Sequence, residues 1–202
     1  MNDPQRISRR NEILDIATGT LSEKGYRGTS MLEVARRASA SKETLYAWFG
    51  DKQGLFEAVI RRNAQSVQTV FAAQLENEAA IEPTLVAFGS ALLELLLDDH
   101  AIAINRAAIS EVNMGSGLAQ ILSAAGREET LPHFILFLER HQQSGKLRPA
   151  DPAQAAEEYL GLLMGDLQIR RLLGLIPMPK KKEIRQRAKR ASARFLHLHG
   201  SA

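Results

Sequence analysis

The sequence predicts an all-α fold, with a small N-terminal three-helix unit and a larger helical body. Three observations carry this expectation. Apolar residues recur at three- and four-residue spacing in nearly every informative segment. No stretch alternates apolar and polar residues with the period of a strand, and no internal repeat or low-complexity tract emerges. Ser, Pro and Gly stand where the periodic segments begin and stop. With 202 residues, 45% of them hydrophobic, the chain can bury a real core and is too apolar for intrinsic disorder.

Taken in order, Ile13, Leu14, Ala17 and Leu21 share one face of a first helix that ends at Gly25. Met31, Val34, Ala35 and Ala38 repeat that pattern, and Ser30-Met31-Leu32-Glu33 has capping-box spacing, which places the start of a second helix. Ser41 offers the N-cap of a very short third helix with Leu45 and Phe49 on one face. Gly50-Asp51-Lys52 interrupts, and Leu55, Phe56, Val59 and Ile60 open a longer helix running toward Glu78. Pro83 suits the first turn of the next, which carries Leu85, Phe88, Leu92, Leu95 and Leu96.

Residues 101–112 read as a helix and Asn113-Met114-Gly115-Ser116-Gly117 as a break. Residues 118–144 read as helical with a bend near Pro132, which has no N–H to donate, and Gly145 and Pro149 close the segment. Residues 153–173 read as one helix, the most apolar of the chain. Tyr159 to Met164 is hydrophobic nearly all round and needs cover on more than one side. Pro177 and Pro179 end it. The last helix puts Ile184, Ala188, Ala191, Phe195 and Leu198 on one stripe, with Arg187, Lys189, Arg190 and Arg194 elsewhere.

Composition excludes several functions. Without cysteine there is no disulfide scaffold, thiolate metal site or cysteine nucleophile, as suits a reducing cytoplasm. Five histidines invite a metal reading, but His197 and His199 fall on different sides of a helix, His133 and His141 are eight apart, and His100 follows two aspartates. None has the His-x-x-x-His spacing that puts two ligands on one face. No nucleophile elbow, phosphate loop, dinucleotide fingerprint or Glu/His pair appears, so neither an enzyme nor a cofactor is expected. The longest stretch without Asp, Glu, Lys or Arg is 112–126, 15 residues, against about 20 apolar residues for a membrane span. The first ten residues lack the apolar core of a signal peptide. A cytoplasmic protein without membrane contact is expected.

The net charge of +3 is unevenly spread. Residues 1–62 carry +3, residues 63–176 carry −7 and residues 177–202 carry +7. Such a chain does not coat nucleic acid uniformly; one small piece meets a polyanion while the rest serves another end. Solvated helix faces fit the charge equally well. The basic run from Lys180 to Arg194 could lie on a membrane surface, but its apolar stripe holds two alanines and no Trp, so a packing helix with a basic back is expected.

The chemistry concentrates in residues 30–49: a helix of about two turns, a tight connection at Ser39-Ala40 and a second short helix. Two helices joined in this way form a helix-turn-helix unit, whose second helix enters the DNA major groove. Leu45 and Phe49 point inward, leaving Lys42, Glu43, Thr44, Tyr46 and Trp48 on other faces. Lysine suits phosphate or guanine, hydroxyls suit phosphate oxygens, and aromatics pack on sugar and backbone.

Residues 28–38, Gly-Thr-Ser-Met-Leu-Glu-Val-Ala-Arg-Arg-Ala, followed by residues 41–56, Ser-Lys-Glu-Thr-Leu-Tyr-Ala-Trp-Phe-Gly-Asp-Lys-Gln-Gly-Leu-Phe, closely resemble the TetR/AcrR family of transcriptional regulators. The match spans about the first 60 residues. It departs at the turn, where the family often has Gly-Val and this chain has Ser39-Ala40, and at Trp48, where His or Tyr is frequent. A left-handed backbone at Ser39 would favour Gly or Asn. Residues 161–166, 170–174 and 194–196 resemble the AefR-like group within that family.

The resemblance implies a helix-turn-helix domain over 1–62 (reading helix about 41–49) and an effector-binding and dimerisation domain over 63–202. It implies DNA contacts from Thr29, Ser30, Ser41, Lys42, Thr44, Tyr46, Trp48 and Lys52, the last at the family's phosphate-contact position. It also implies a homodimer through the last two long helices, where the apolar pattern points to Tyr159, Leu163, Met164, Leu167, Ile184, Ala188, Ala191 and Phe195. The expected function is a dimeric repressor released from a double-stranded, palindromic DNA operator by a small-molecule effector of unknown identity. Rival readings are an effector-independent dimeric DNA-binding protein and a ligand-dependent activator. The large second segment, more than dimerisation needs, favours an effector. Asp166, Arg106 and Glu111 either line its cavity or pair structurally; for Asp166, pairing with Arg170 at i+4 or with an arginine on a neighbouring helix is favoured.

Overall fold

α-Helices begin at Ser30 and Ser41 and one ends at Gly50, where the sequence places caps and a breaker. The computed structural model describes residues 3–75, 80–115 and 117–201, with side chains given for all of these but residues 3, 66 and 68–75. The expected run toward Glu78 and Ser116 of the expected break lie outside the described residues. The elements are α1 (Asp3–Gly28), α2 (Met31–Arg37), α3 (Lys42–Phe49), α4 (Lys52–Leu75), α5 (Ile81–Leu97), α6 (Asp99–Ser110), a 3₁₀ turn (Val112–Met114), α7 (Leu118–Leu122), a π-turn (Ser123–Arg127), α8 (Glu128–Gln143), α9 (Pro152–Met164), α10 (Leu167–Leu172) and α11 (Lys181–His199). α1 is interrupted at Gly25, whose φ is 69°. Among the described residues no helix is long and apolar enough to cross a membrane.

Two elements depart from the sequence reading. The irregular turn in 118–144 lies at Ser123–Arg127 rather than at Pro132, which sits inside α8. Pro132 removes the donor for the carbonyl four residues earlier and crowds it; that residue is Glu128, where the π-turn gives way to α8. The expected single helix over 153–173 is two, broken at Gly165, whose φ of 50° and ψ of −126° leave the helical region. The Arg187 guanidinium occupies the space beside it and donates to the Leu163 carbonyl; a Cβ at Gly165 would lie 2.6 Å from that side chain.

The chain divides into two units: Met1–Asn63 with Asp99–Gly126, and Ala64–Asp98 with Arg127–Ala202. The packing therefore takes 99–126 into the first unit, whereas the expected functional division at 62/63 follows the chain. In the first unit Ile13, Leu14, Val34, Leu45, Phe56, Ile104 and Leu118 share one core. In the second, α5, α8, α9 and α11 enclose an aromatic column: Phe88 and Phe134 have ring centroids 4.5 Å apart, Phe134 and Tyr159 5.2 Å, Tyr159 and Phe195 5.5 Å. The buried Tyr159 hydroxyl donates to the Leu85 carbonyl at 2.6 Å, and burial pushes its pKa up to about 12. Arg171, 6% exposed, donates to the carbonyls of Leu97 at 3.0 Å and Ile176 at 3.2 Å, satisfying the end of α5.

Candidate nucleic-acid interface

The interface is built from caps outward. Ser30 is extended (φ −125°, ψ 155°) and its Oγ accepts the Glu33 N–H at 3.1 Å, which starts α2. Only half the expected capping box is used in this way. The Glu33 carboxylate instead accepts from Lys24 at 2.8 Å, Arg37 at 2.9 Å and Arg36 at 3.2 Å, because three cations outcompete one neutral amide. Arg36, then Lys24 and Arg37, hold that carboxyl well below the usual carboxylate range.

α2 ends at Arg37, and the turn follows. Ala38 N–H donates to Val34 at 2.9 Å and Ala40 N–H to Ala35 at 2.9 Å. Between them Ser39 takes a φ of 48°, the one non-glycine residue with positive φ among those described. A left-handed serine costs about 1 kcal/mol relative to glycine. Arg9 of α1 donates to both turn carbonyls, Ala38 and Ser39, the latter at 3.1 Å.

Ser41 then caps α3, its Oγ accepting the Thr44 N–H at 3.1 Å and lying 2.9 Å from the Thr44 hydroxyl. Leu45 and Phe49 are buried, as the spacing predicts, so α3 is pinned from beneath and shows Lys42, Glu43 and Tyr46 to solvent. The Lys42 ammonium stands 5.5 Å from the Tyr46 ring centroid. Thr44 is half-buried, and so is Trp48, with the Arg6 guanidinium 5.9 Å from its ring. Gly50 (φ 75°) closes α3, and Asp51 Oδ1 accepts the Gly54 N–H at 2.8 Å to begin α4. A Cβ on Gly54 would sit 2.1 Å from the Phe49 carbonyl oxygen, so only glycine lets α4 approach α3 this closely.

The remaining expected contacts fall in two groups. Ser30 and Ser41 are exposed but spend their hydroxyls on caps. Thr29 is 1% exposed, and its hydroxyl donates to the Gly25 carbonyl at 2.8 Å, tethering the start of α2 to α1. Lys52 is half-buried, its Nζ 3.8 Å from the Tyr26 ring centroid. Burial lowers its pKa, and Glu111 partly opposes that. Glu111, 7% exposed, accepts from Arg27 at 2.9 Å, which makes it a structural partner in this unit. Sequence reading missed Arg6 and Arg9 beside the reading helix; their signal was cations three apart at the start of an amphipathic helix.

The residues of the expected dimer face pack within the second unit. Tyr159, Leu163, Ile184, Ala188, Ala191 and Phe195 are 0–2% exposed within one subunit, and half-buried Met164 and Leu167 pack against the same cluster. Among the large apolar side chains left outward in this unit are Ile169 (52% exposed), Leu173 (65%), Leu175 (67%) and, on the last helix, Leu198 (54%). Asp166 and Arg170 pair at 3.8 Å, as favoured, with both side chains largely in solvent. Arg106 is exposed. Among the described residues no group of His, Asp and Glu could hold a metal.

With this geometry in place, similarity to known proteins is informative. Residues 83–200 match the family described as AefR-like transcriptional repressor, C-terminal domain, and residues 13–59 match bacterial regulatory proteins, tetR family. The chain is 27% identical over 173 residues to the uncharacterized HTH-type transcriptional regulator YvkB of Bacillus subtilis, covering 84% of this chain and 88% of that one. It is 26% identical over 171 residues to the HTH-type transcriptional repressor ComR of Escherichia coli, covering 81% and 80%. A TetR transcriptional regulator from Agrobacterium tumefaciens superposes with a TM-score of 0.74 at 33% identity over 96% of this chain and 95% of that one. The flavonoid-responsive regulator FrrA does so at 0.69 and 26%, over 96% and 97%. These relatives are regulators of transcription, not enzymes.

Proposed function

Because the chain belongs to the TetR family of DNA-binding transcriptional regulators, we propose that it acts in the cytoplasm as a homodimeric repressor, released from a palindromic operator by a small-molecule effector. The observation that carries the DNA-reading part is α3 itself: capped by Ser41, pinned by Leu45 and Phe49, and showing Lys42 and Tyr46 to solvent. Lys42 and Thr44 at the start of α3 lie nearest the base edges, and Tyr46 positions the phosphate backbone. A related regulator, ComR, is a repressor, which supports repression over activation. FrrA is flavonoid-responsive, which supports an effector for a chain of this architecture. That effector has to prefer one of two states; tight but equal binding changes nothing.

The test is titration of the protein against the DNA flanking its own gene, searched for a near-palindrome. Tyr46→Phe should weaken binding by about 1 kcal/mol or slightly more without altering base preference. Thr44 substitutions should change preference at particular operator positions. Selection of different bases by Tyr46→Phe would overturn these roles. A thermal-shift screen addresses the effector, since a ligand at 100 times its Kd stabilises by about 2.7 kcal/mol.

A further inference from the structure

We infer that Arg9 is a positioning residue for the reading helix: its guanidinium holds the carbonyls of Ala38 and Ser39 and offsets the left-handed backbone that a serine takes in the turn. The inference rests on α3 being the helix that reads DNA. After α2 ends at Arg37, the turn's own N–H groups serve its last carbonyls, Ala38 donating to Val34, Ala40 to Ala35 and Ser39 to Arg36, so the carbonyls that need a donor from elsewhere are those of the turn itself. Among the described hydrogen bonds, Arg9 is the donor to both turn carbonyls. A planar fork with five N–H groups can serve two oxygens at once, and its charge suits the negative end of α2.

Arg9 is itself fixed. α1 buries Ile13 and Leu14 completely, and Glu12 accepts from the same guanidinium. Its neighbours reach the same region: Arg6 stands over Trp48, and Arg10 lies 5.1 Å from the Phe49 ring centroid. The first turns of α1 therefore brace the turn and the far end of α3 together. Ser39, at φ 48°, is where such a brace is needed, because a side chain in that conformation is strained and the angle between α2 and α3 depends on it.

A guanidinium beside a DNA-reading helix could instead meet a phosphate, and the two roles separate experimentally. Arg9→Ala, Arg9→Lys, Ser39→Gly and the Arg9→Ala/Ser39→Gly double variant are titrated against the operator over a range of salt. Amide exchange at Ala40 and Thr44 is followed without DNA. Bracing predicts about tenfold weaker operator binding for Arg9→Ala. The salt slope should stay unchanged, Arg9→Lys should give no rescue, and the loss should be smaller in the Ser39→Gly background. Exchange at Ala40 and Thr44 should quicken in Arg9→Ala and recover in the double variant. A salt slope reduced by about one, or rescue by Arg9→Lys, would make Arg9 a phosphate contact and overturn the inference. So would strictly additive losses or unchanged exchange. If the wild type fails to bind DNA, the functional reading fails, and the exchange data decide the brace alone.

Discussion

At the scale of single residues, the tightest constraint in the head is Gly54. Because a Cβ there would collide with the Phe49 backbone, Gly54→Ala must move α3 or α4, and a loss of about 2 kcal/mol or more is expected on thermal unfolding. Gly19 is the control: nothing lies within 4 Å of its Cβ position, so Gly19→Ala in α1 should stabilise by about 0.5–1 kcal/mol. Equal melting of the two variants would show that the close approach is unimportant. Lys52 supplies a second test. If it meets a phosphate, Lys52→Ala weakens binding to all sequences similarly and lowers the log K against log salt slope by about one for each phosphate left unneutralised. Its position over Tyr26, in partial burial, gives the competing outcome: a packing lysine whose removal lowers the melting temperature and leaves the slope alone.

At the scale of elements, Glu33 ties α2 to α1 through Lys24 and to its own last turn through Arg36 and Arg37. Its pKa is depressed in the folded state, so its contribution is present above the ordinary carboxylate value and lost as pH falls below it toward the folded value. Unfolding followed from about pH 7 to about pH 3 should show Glu33→Gln less stable than wild type at neutral pH, with the difference shrinking in acid. A difference constant across that range would remove the charge from the explanation.

The same element shows what the sequence could and could not reveal. Ser30, Ser41 and the inward faces of α1 to α3 were legible because local spacing and capping chemistry fix them. Glu33's choice of three cations over the Ser30 amide was not, since Lys24 lies nine residues away in the chain and is brought near only by packing. The break at Gly165 was hidden within an apolar run, and the Arg187 guanidinium that donates to the Leu163 carbonyl beside it comes from α11. Arg9 was illegible as a brace because Ser39 and Arg9 meet only in the folded head.

At the scale of the molecule, the sequence could say that the last helices carry a wide apolar arc but not which residues of it face inward. An apolar stripe reads identically whether it closes its own core or meets a copy. Here Leu163 and Phe195 are fully buried within the subunit, so a charge at either unfolds that unit and says nothing about assembly. Ile169 and Leu173, one turn apart on and just after α10, are more than half exposed, and Leu175 follows. For the proposed dimer, these outward apolar side chains are candidates for an isologous contact. In the proposed dimer two reading helices would engage half-sites about 34–36 Å apart or multiples of it, and pairing would turn a weak reader into a specific one. Leu173→Glu is the informative variant. It should melt within about 0.5 kcal/mol of the wild type, as a surface substitution does, yet sediment as a monomer and lose operator affinity steeply. A Leu173→Glu protein that stays dimeric moves the contact elsewhere, and a wild type that sediments as a monomer at micromolar concentration removes the dimer altogether.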